Sequence, residues 1–304
     1  MLAYTFAEGM QQVVNALALG SVYALLGLGV AAIFSVLGIV NFAHGELVTL
    51  SGFSMLLFAT LGLPWLLIVP LAILTGGLAA IAIELVAFRP VRGAPVETFL
   101  LTSLGVSIVI QNLLLMFVSP RPEDLHAPSW TDATFRVGGV VVGWFDVATI
   151  LTTFLILILL TTFFRRSIYG LALRAAAEDF SMTRMVGLKA NSVITLAFFL
   201  SGLLAGVAAF FYLGTLGQVE YDSGFNPLLK GFIAAVMGGL GSLSGAVVGG
   251  YVLAAMEIFF QVVLPSANTP FEAAIVFGMV ILVLLLRPRG LSGGLSAAMK
   301  LERV

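Results

Sequence analysis

The chain has 304 residues, of which 60% are hydrophobic and only 10% are charged, and its mean hydropathy is +1.13. One soluble core cannot bury that much apolar surface, so lipid must cover much of it and an integral membrane protein is predicted. The net charge of -1 comes without a basic stripe, so no nucleic-acid partner is expected, and the lack of cysteine excludes disulfides and thiolate chemistry.

Apolar runs follow one another along the chain. They cover residues 13–37, 47–63, 65–87, 98–118, 147–164, 191–213, 228–263 and 270–286. Most can span a membrane, because a helix needs roughly 20 apolar residues to cross a bilayer core of about 30 Å. The runs lack the alternation of barrel strands, so we expect an all-α polytopic bundle of about eight or nine transmembrane segments, with broken or re-entrant helices, in a single domain over residues 1–304. No Lys or Arg precedes the first run, so no cleaved signal peptide is expected.

The loops between the runs differ in basic charge, which sets the expected orientation. The basic loops hold Arg89 and Arg92, five basic residues within 165–189, and the four basic residues of the tail at 288–304 and just before it. Basic loops stay in the cytoplasm, so the loops at 119–146 and 214–227 are expected outside, together with the N-terminus. The run at 228–263 must then form a hairpin of short segments, while the run at 47–63 either crosses or re-enters.

Two polar interruptions of the apolar pattern predict broken helices. The first is "SVLGIVNFAHGELVTLSGF" at 35–53, and the second is "GGLGSLSG" at 238–245. Transporters use such breaks to line a polar path at membrane depth. The predicted path residues are Asn41, His44, Glu46, Thr49, Gly241, Ser242 and Ser244. Close helix packing alone remains an alternative for the second break, because Gly241, Gly245 and Gly249 repeat at four-residue spacing.

Ionisable residues inside the predicted spans are also candidates for function. His44 and Glu46 lack the further His or Cys ligands of a metal centre, so no metal site is expected. We expect them to cap the broken helix and to bias the path or its gate. Glu84, near Arg89, and Glu257, near the outer end of its helix, are expected to be solvated at the membrane interface and to have no functional role.

The segment 165–189 concentrates charge, with seven of the 29 charged residues of the chain. Within it, residues 170–188 are too polar to span and predict a short cytoplasmic helical elbow. Its mixture of charges with apolar side chains favours contact with a protein, although an amphipathic helix lying on lipid is an alternative. The candidate contact residues are Arg174, Glu178, Asp179, Phe180, Met182, Arg184, Met185 and Gly187.

Several of these segments together resemble one transporter family. They are "NFAHGE", "FRPVRG", "LTSLGVSIVIQNLLLMF", "LALRAAAEDFSMTRMVGL" followed by "FFLSGLLAGVAA", and "KGFIAAVMGGLGSLSGAVVGG". In this order, over about residues 13 to 292, the chain resembles the branched-chain amino acid permeases of ABC transporters. The resemblance does not select the solute, because such relatives are associated with Leu, Ile and Val and also with urea, amides and aromatic or other carboxylic acids.

The resemblance implies a permease subunit in the bacterial inner membrane that works with other proteins. These would be a second homologous permease, an extracytoplasmic solute-binding protein and two cytoplasmic ATPase subunits, with 170–188 as the coupling helix. The chain has no G-x-x-x-x-G-K-[ST] motif, so ATP and Mg²⁺ are expected on the ATPase subunits and no cofactor on this chain.

Two other classes of function were weighed against this one. A proton-coupled secondary transporter would also use broken helices and intramembrane His and Glu. An intramembrane enzyme would need a nucleophile or metal set, and the chain has neither H-E-x-x-H nor G-x-S-x-G. We therefore expect a transport subunit and not an enzyme.

Overall fold

The structure is a computed structural model that describes residues 6–125, 127–178, 190–265, 271–287 and 290–291. Ten α-helices lie in these residues: α1 (Phe6–Leu37), α2 (His44–Thr60), α3 (Trp65–Ile83), α4 (Val96–Phe117), α5 (Trp144–Arg166), α6 (Ile168–Glu178), α7 (Ala190–Leu216), α8 (Phe225–Gly238), α9 (Leu243–Val263) and α10 (Glu272–Leu286). A π-helical turn, Glu84–Phe88, extends α3. The helical fold is confirmed.

Six helices of the described part are long and apolar enough to cross a membrane. They are α1, α3 with its π turn, α4, α5, α7 and α9, while α8 and α10 are apolar but shorter. The run predicted at 228–263 is indeed divided, into α8 and α9. These two helices are antiparallel, because Gly238 meets Gly245 while Ala234, one turn earlier, meets Gly249.

Helix α1 lies in the middle of the bundle. All of its residues from Gly20 to Ile33 are buried, and α5, α7, α8 and α9 pack around it. By contrast, α4 and α5 expose most of their side chains. Because these exposed side chains are largely Leu, Ile, Val and Phe, lipid or another apolar partner must cover α4 and α5.

Glycines allow the central helices to approach one another closely. A Cβ at Gly76 of α3 would lie 2.6 Å from the Gly202 carbonyl oxygen of α7, and one at Gly206 would lie 2.7 Å from the Ile73 Cα atom. A Cβ at Gly250 of α9 would lie 2.6 Å from the Ala24 nitrogen of α1. Such contacts bring backbones into van der Waals contact, which is how helices associate tightly in lipid.

The loops gather at two opposite ends of the bundle. At one end, β1 (Glu123–Asp124), in the loop after α4, pairs with β4 (Gln218–Val219), which follows α7. The same loop holds a hairpin of β2 (Thr134–Val137) and β3 (Val140–Gly143). We call this the β end.

The opposite end holds the loops rich in Arg, and we call it the basic end. Arg92, after α3, bonds to Asn191 at the start of α7. The Leu291 N–H donates to the Met237 carbonyl at 2.8 Å, which brings the chain after α10 to the end of α8. Most of the tail at 288–304 lies outside the described residues.

Candidate functional site

The first break separates α1 from α2, and Asn41 shapes it. Gly38 has a φ of +67°, a left-handed conformation that glycine adopts without strain and that ends α1. The Asn41 side-chain oxygen accepts from the Ala43 N–H at 3.0 Å, and its carbonyl accepts from the His44 N–H at 3.2 Å. Asn41 therefore closes the turn into α2. The expectation that His44 and Glu46 cap this helix is wrong, because both side chains reach other helices.

His44 connects α2 to α7 and α1. Its Nδ1 lies 3.1 Å from the Ser201 hydroxyl, which donates its own proton to the Gly29 carbonyl at 2.9 Å. Since Ser201 has one proton to give, His44 Nδ1 must be the donor to Ser201. His44 Nε2 is then a bare acceptor, and it is buried without a partner among the described residues.

Glu46 connects α2 to α4. Its side-chain oxygen Oε1 accepts from the Ser107 hydroxyl at 2.7 Å and from the Gln111 amide at 2.8 Å. The other oxygen, Oε2, is buried and has no partner among the described residues. The residue is only 1% exposed, so a carboxylate whose hydrogen bonds from Ser107 and Gln111 both go to one oxygen lies inside the protein.

Thr49 connects α2 to the start of α8. Its hydroxyl oxygen accepts from the Gly224 N–H at 2.9 Å. Gly224 also lies against the backbone of Gly45, where a Cβ on Gly45 would lie 2.6 Å from the Gly224 carbonyl oxygen. The start of α2 is thus pressed against the loop that leads into α8.

The second break separates α8 from α9. Gly239 and Gly241 have φ values of +105° and +84°, which glycine adopts without strain. Ser242 begins α9 as its N-cap, since its hydroxyl oxygen accepts from the Gly245 N–H at 3.1 Å. The hydroxyl oxygen of Ser244 lies 3.5 Å from the hydroxyl oxygen of Ser242.

A cavity of about 380 Å³ opens beside this second break at the basic end. Its lining combines the two path candidates Gly241 and Ser244 with hydroxyl and guanidinium side chains of α1, α5 and α6. These are Ser35, Thr161, Arg165 and Arg174. Arg174, which the sequence predicts as a contact residue of the elbow, thus lines this cavity.

The structure divides the seven path candidates into two groups. Asn41, His44, Glu46 and Thr49 are buried around the first break, whereas Gly241 and Ser244 line the cavity at the basic end and Ser242 lies between them as the N-cap of α9. One apolar cluster links the two breaks. Phe42 from the first and Leu243 from the second both pack against a cluster of buried residues from α1, α8 and α9 that includes Val30 and Ala31.

The predicted elbow is described only in its first part. Helix α6 covers Ile168–Glu178, and its Ile168, Tyr169 and Leu171 side chains are exposed. The side chain of Glu178 lies outside the described part of the chain. The same holds for six whole candidate contact residues, which are Asp179, Phe180, Met182, Arg184, Met185 and Gly187.

Two ion pairs, each between a buried glutamate and a partly buried basic side chain, correct the expectation that Glu84 and Glu257 are solvated. Glu84 is 0% exposed, pairs with Arg92 and accepts from the Thr195 hydroxyl at 2.9 Å. Burial lowers the pKa of Arg92, a group in the loop at the basic end.

The second pair lies between α8 and α9. Glu257 is 4% exposed, pairs with Lys230 and accepts from the Tyr23 hydroxyl of α1 at 2.7 Å. The Lys230 ammonium also lies 5.6 Å from the centre of the Phe277 ring of α10. This group therefore joins four helices.

Comparison with known proteins places the chain among transport permeases. A profile of the family described as "Branched-chain amino acid transport system / permease component" matches residues 12–285. The chain is 36% identical over 301 residues to the high-affinity branched-chain amino acid transport system permease protein BraD of Pseudomonas aeruginosa, covering 93% of this chain and 95% of that protein.

Two further relatives match over similar lengths. The permease protein LivH of Escherichia coli, from a transport system of the same description, is 33% identical over 302 residues, which cover 95% of this chain and 96% of that protein. A probable branched-chain amino acid transport permease protein LivH of Methanocaldococcus jannaschii is 26% identical over 294 residues, which cover 92% and 91%. The chain therefore belongs to the family of branched-chain amino acid transport permeases.

Proposed function

We propose that the chain forms one half of the transmembrane path of an ABC importer for branched-chain or related hydrophobic amino acids. The observation that carries this proposal is the family match across residues 12–285, together with relatives matched over almost their whole length. With six long apolar helices in its described part and permeases as relatives, the chain is a multi-pass protein of the bacterial inner membrane. The same importer class carrying urea, an amide or another carboxylic acid is the alternative.

The proposed complex has four other subunits. They are a second homologous permease, an extracytoplasmic solute-binding protein and two cytoplasmic ATPase subunits that bind ATP and Mg²⁺. This composition is supported by the relatives, which are named as components of transport systems, and by the lack of a P-loop motif in the sequence. On this proposal the chain binds no cofactor and catalyses no reaction.

We propose nine crossings, with the N-terminus outside and the basic end in the cytoplasm. The grouping of loops supports this orientation, since Arg92, Arg165 and Arg174 all lie at one end of the bundle. Helix α2 counts as a crossing that begins inside the bundle, at the first break. Helices α8 and α10 count as short crossings.

The path is proposed to run between the two breaks. The start of α2, just after the first break, lies beside the loop at Gly224 that leads from the β end into α8, and the second break opens into the cavity at the basic end. A solute would meet the polar groups of α2 first and Ser242 and Ser244 afterwards. Specificity would come mainly from the solute-binding protein, because a path that holds its solute tightly cannot release it.

The coupling role is proposed for residues 170–188. The exposed apolar side chains of α6 at the basic end support a protein contact there. ATP hydrolysis would move the two ATPase subunits, and the elbow would pass this motion to the bundle as a rigid-body movement.

Reconstitution of the full complex tests the proposed class. With the solute-binding protein outside and ATP inside, proteoliposomes should accumulate labelled leucine, isoleucine or valine, and omission of any subunit or of ATP should abolish uptake. Unlabelled urea, amides and aromatic acids serve as competitors that identify another solute of the same class. Uptake by this chain alone, driven by a proton gradient without nucleotide, would instead identify a secondary transporter and overturn the proposal.

Two variants test the coupling role directly. Glu178→Ala and Phe180→Ala should reduce the recovery of ATPase subunits with the purified permease and lower uptake in parallel. Phe117→Ala, at the β-end terminus of α4, is the matched control, since its side chain is 77% exposed and lies at the opposite end of the bundle. Normal assembly and uptake in both elbow variants would contradict the coupling role.

A further inference from the structure

Among the described residues three glutamates are buried inside the bundle, and they differ in their partners. Glu84 pairs with Arg92, and Glu257 pairs with Lys230. Glu46 is equally buried, at 1% exposure, yet no Lys or Arg pairs with it among the described residues. A buried carboxylate without a cation is costly, and such a residue in a membrane protein marks function more often than structure.

The hydrogen bonds of Glu46 leave half of the carboxylate unused. Ser107 and Gln111 both donate to Oε1, whereas Oε2 has no hydrogen-bond partner within the described residues, and the Thr49 hydroxyl, one turn further along α2, also acts on the carboxylate. A glutamine at this position would accept the same two hydrogen bonds through its amide oxygen. The link between α2 and α4 therefore does not require the negative charge.

The surroundings of Glu46 favour a positively charged ligand. Asp222 is exposed in the loop at the β end and lies close enough to act electrostatically on Glu46. Two carboxylates without a described basic neighbour make this region negative, and a negative region attracts and holds cations. A tight contact between Gly45 and Gly224 holds the start of α2, next to Glu46, against the loop that contains Asp222.

From these observations we infer that Glu46 binds the ammonium group of the transported amino acid. The inference rests on the proposed function and adds a role for one residue of the proposed path. The solute reaches Glu46 from the side of Asp222 once the loop at Gly224 separates from Gly45. The ammonium group of the solute then pairs with Glu46, as Arg92 pairs with Glu84 and Lys230 pairs with Glu257.

The test compares a charged and an uncharged residue of equal size at position 46. Leucine uptake by proteoliposomes with the complete complex should fall by about 10- to 100-fold in Glu46→Gln, the loss expected for one hydrogen bond between charged groups. Ser107→Ala, which removes one link between α2 and α4 and keeps the carboxylate, should lose much less. Recovery of all subunits and ATP hydrolysis without solute report whether each variant assembles.

A second pair keeps the test decisive if Glu46→Gln does not assemble. Glu46→Asp and Glu46→Asn have equal size, and the Asp variant should transport leucine at least about 10-fold faster than the Asn variant. Equal uptake by the two members of a pair would overturn the inference, and so would a loss in Ser107→Ala as large as that in Glu46→Gln.

Two further measurements separate the solute from other cations. If uptake by the wild-type complex depends on Na⁺ or collapses with a protonophore while ATP is present, an inorganic cation or a proton pairs with Glu46 and the inference fails. Failure of the wild-type complex to transport any amino acid would instead refute the proposed function itself. The two failures are therefore distinguishable.

Discussion

At the scale of single residues, the carboxylate of Glu84 shows what a stable buried charge requires here. One oxygen faces the Arg92 guanidinium, and the other accepts from the Thr195 hydroxyl. Arg92 also bonds to the Asn191 side chain, so two charges and two polar side chains satisfy one another. Because both sides of the pair are hydrogen-bonded, the cost of removing the charges from water is offset.

Breaking this pair should destabilise the protein strongly. Arg92→Met leaves the Glu84 carboxylate buried without a cation, so we expect a loss of about 3 kcal/mol, the lower end of the range for buried pairs. Arg92→Lys keeps the charge and should lose less than half as much. Thermal unfolding in detergent, followed by size-exclusion chromatography, measures both, and equal midpoints for Arg92→Met and wild type would contradict the role of the pair.

The polar residues of the site could be predicted from the sequence better than their contacts. His44 and Glu46 stand out because they interrupt an apolar run. Their partners Ser201 and Ser107 lie 157 and 61 residues away on helices whose facing sides no local pattern reveals. The pair of Lys230 and Glu257 was open to prediction, because a hairpin that turns near Gly241 brings these positions within about one helical turn of each other.

At the scale of helices, the contact between α3 and α7 depends on small residues. Gly202 and Gly76 face each other, and Gly206 lies against Ile73. Lipid tails are as apolar as leucine, so association in the membrane depends on this close fit and not on expulsion of water. A single methyl group at the contact must therefore push the helices apart.

A Gly-to-Ala comparison tests this fit. Gly202→Ala should destabilise the protein by about 1–3 kcal/mol, because the new Cβ would lie 2.7 Å from the Ala80 Cβ atom and closer still to the Gly76 backbone. Gly105→Ala on the exposed face of α4 meets nothing within 4 Å and should be neutral or slightly stabilising. Unfolding midpoints in detergent compare the two, and an equal effect would argue against the contact.

The helices themselves were largely predictable, because apolar runs of spanning length are a strong signal. The break between α8 and α9 was predicted from the glycines and serines of "GGLGSLSG". The start predicted for the run at 47–63 is too late in the chain, because α2 begins at His44. Its first turn contains His44, Gly45 and Glu46, and a hydropathy pattern cannot recognise a helical turn whose polar side chains bond to other helices.

At the scale of the whole molecule, exposure is distributed unevenly among the helices. Helix α1 is enclosed, while α4 and α5 present apolar faces outward. The proposed orientation puts the β end outside the cell and the basic end in the cytoplasm. This arrangement can be tested cleanly, because the chain has no cysteine of its own.

Single cysteines at the two ends should react from opposite sides of the membrane. Thr134→Cys, in β2 of the β end, should react in intact cells with a maleimide that cannot cross the membrane. Ala94→Cys, beside Arg92 at the basic end, should react only after the cells are opened. The reverse pattern would invert the proposed orientation, and the cysteine-free parent chain is the control.

The enclosed position of α1 has a consequence for biosynthesis. This helix leaves the ribosome well before α9, but its Ser21 and Tyr23 hydroxyls bond to Tyr251 and Glu257 of α9, more than 200 residues later. Until α9 has been synthesised, these two hydroxyls lack their final partners while the earlier helices are already in place. Chains whose synthesis stops before α9 would therefore leave this face of α1 uncovered. We expect membrane chaperones and quality-control proteases to act at that face.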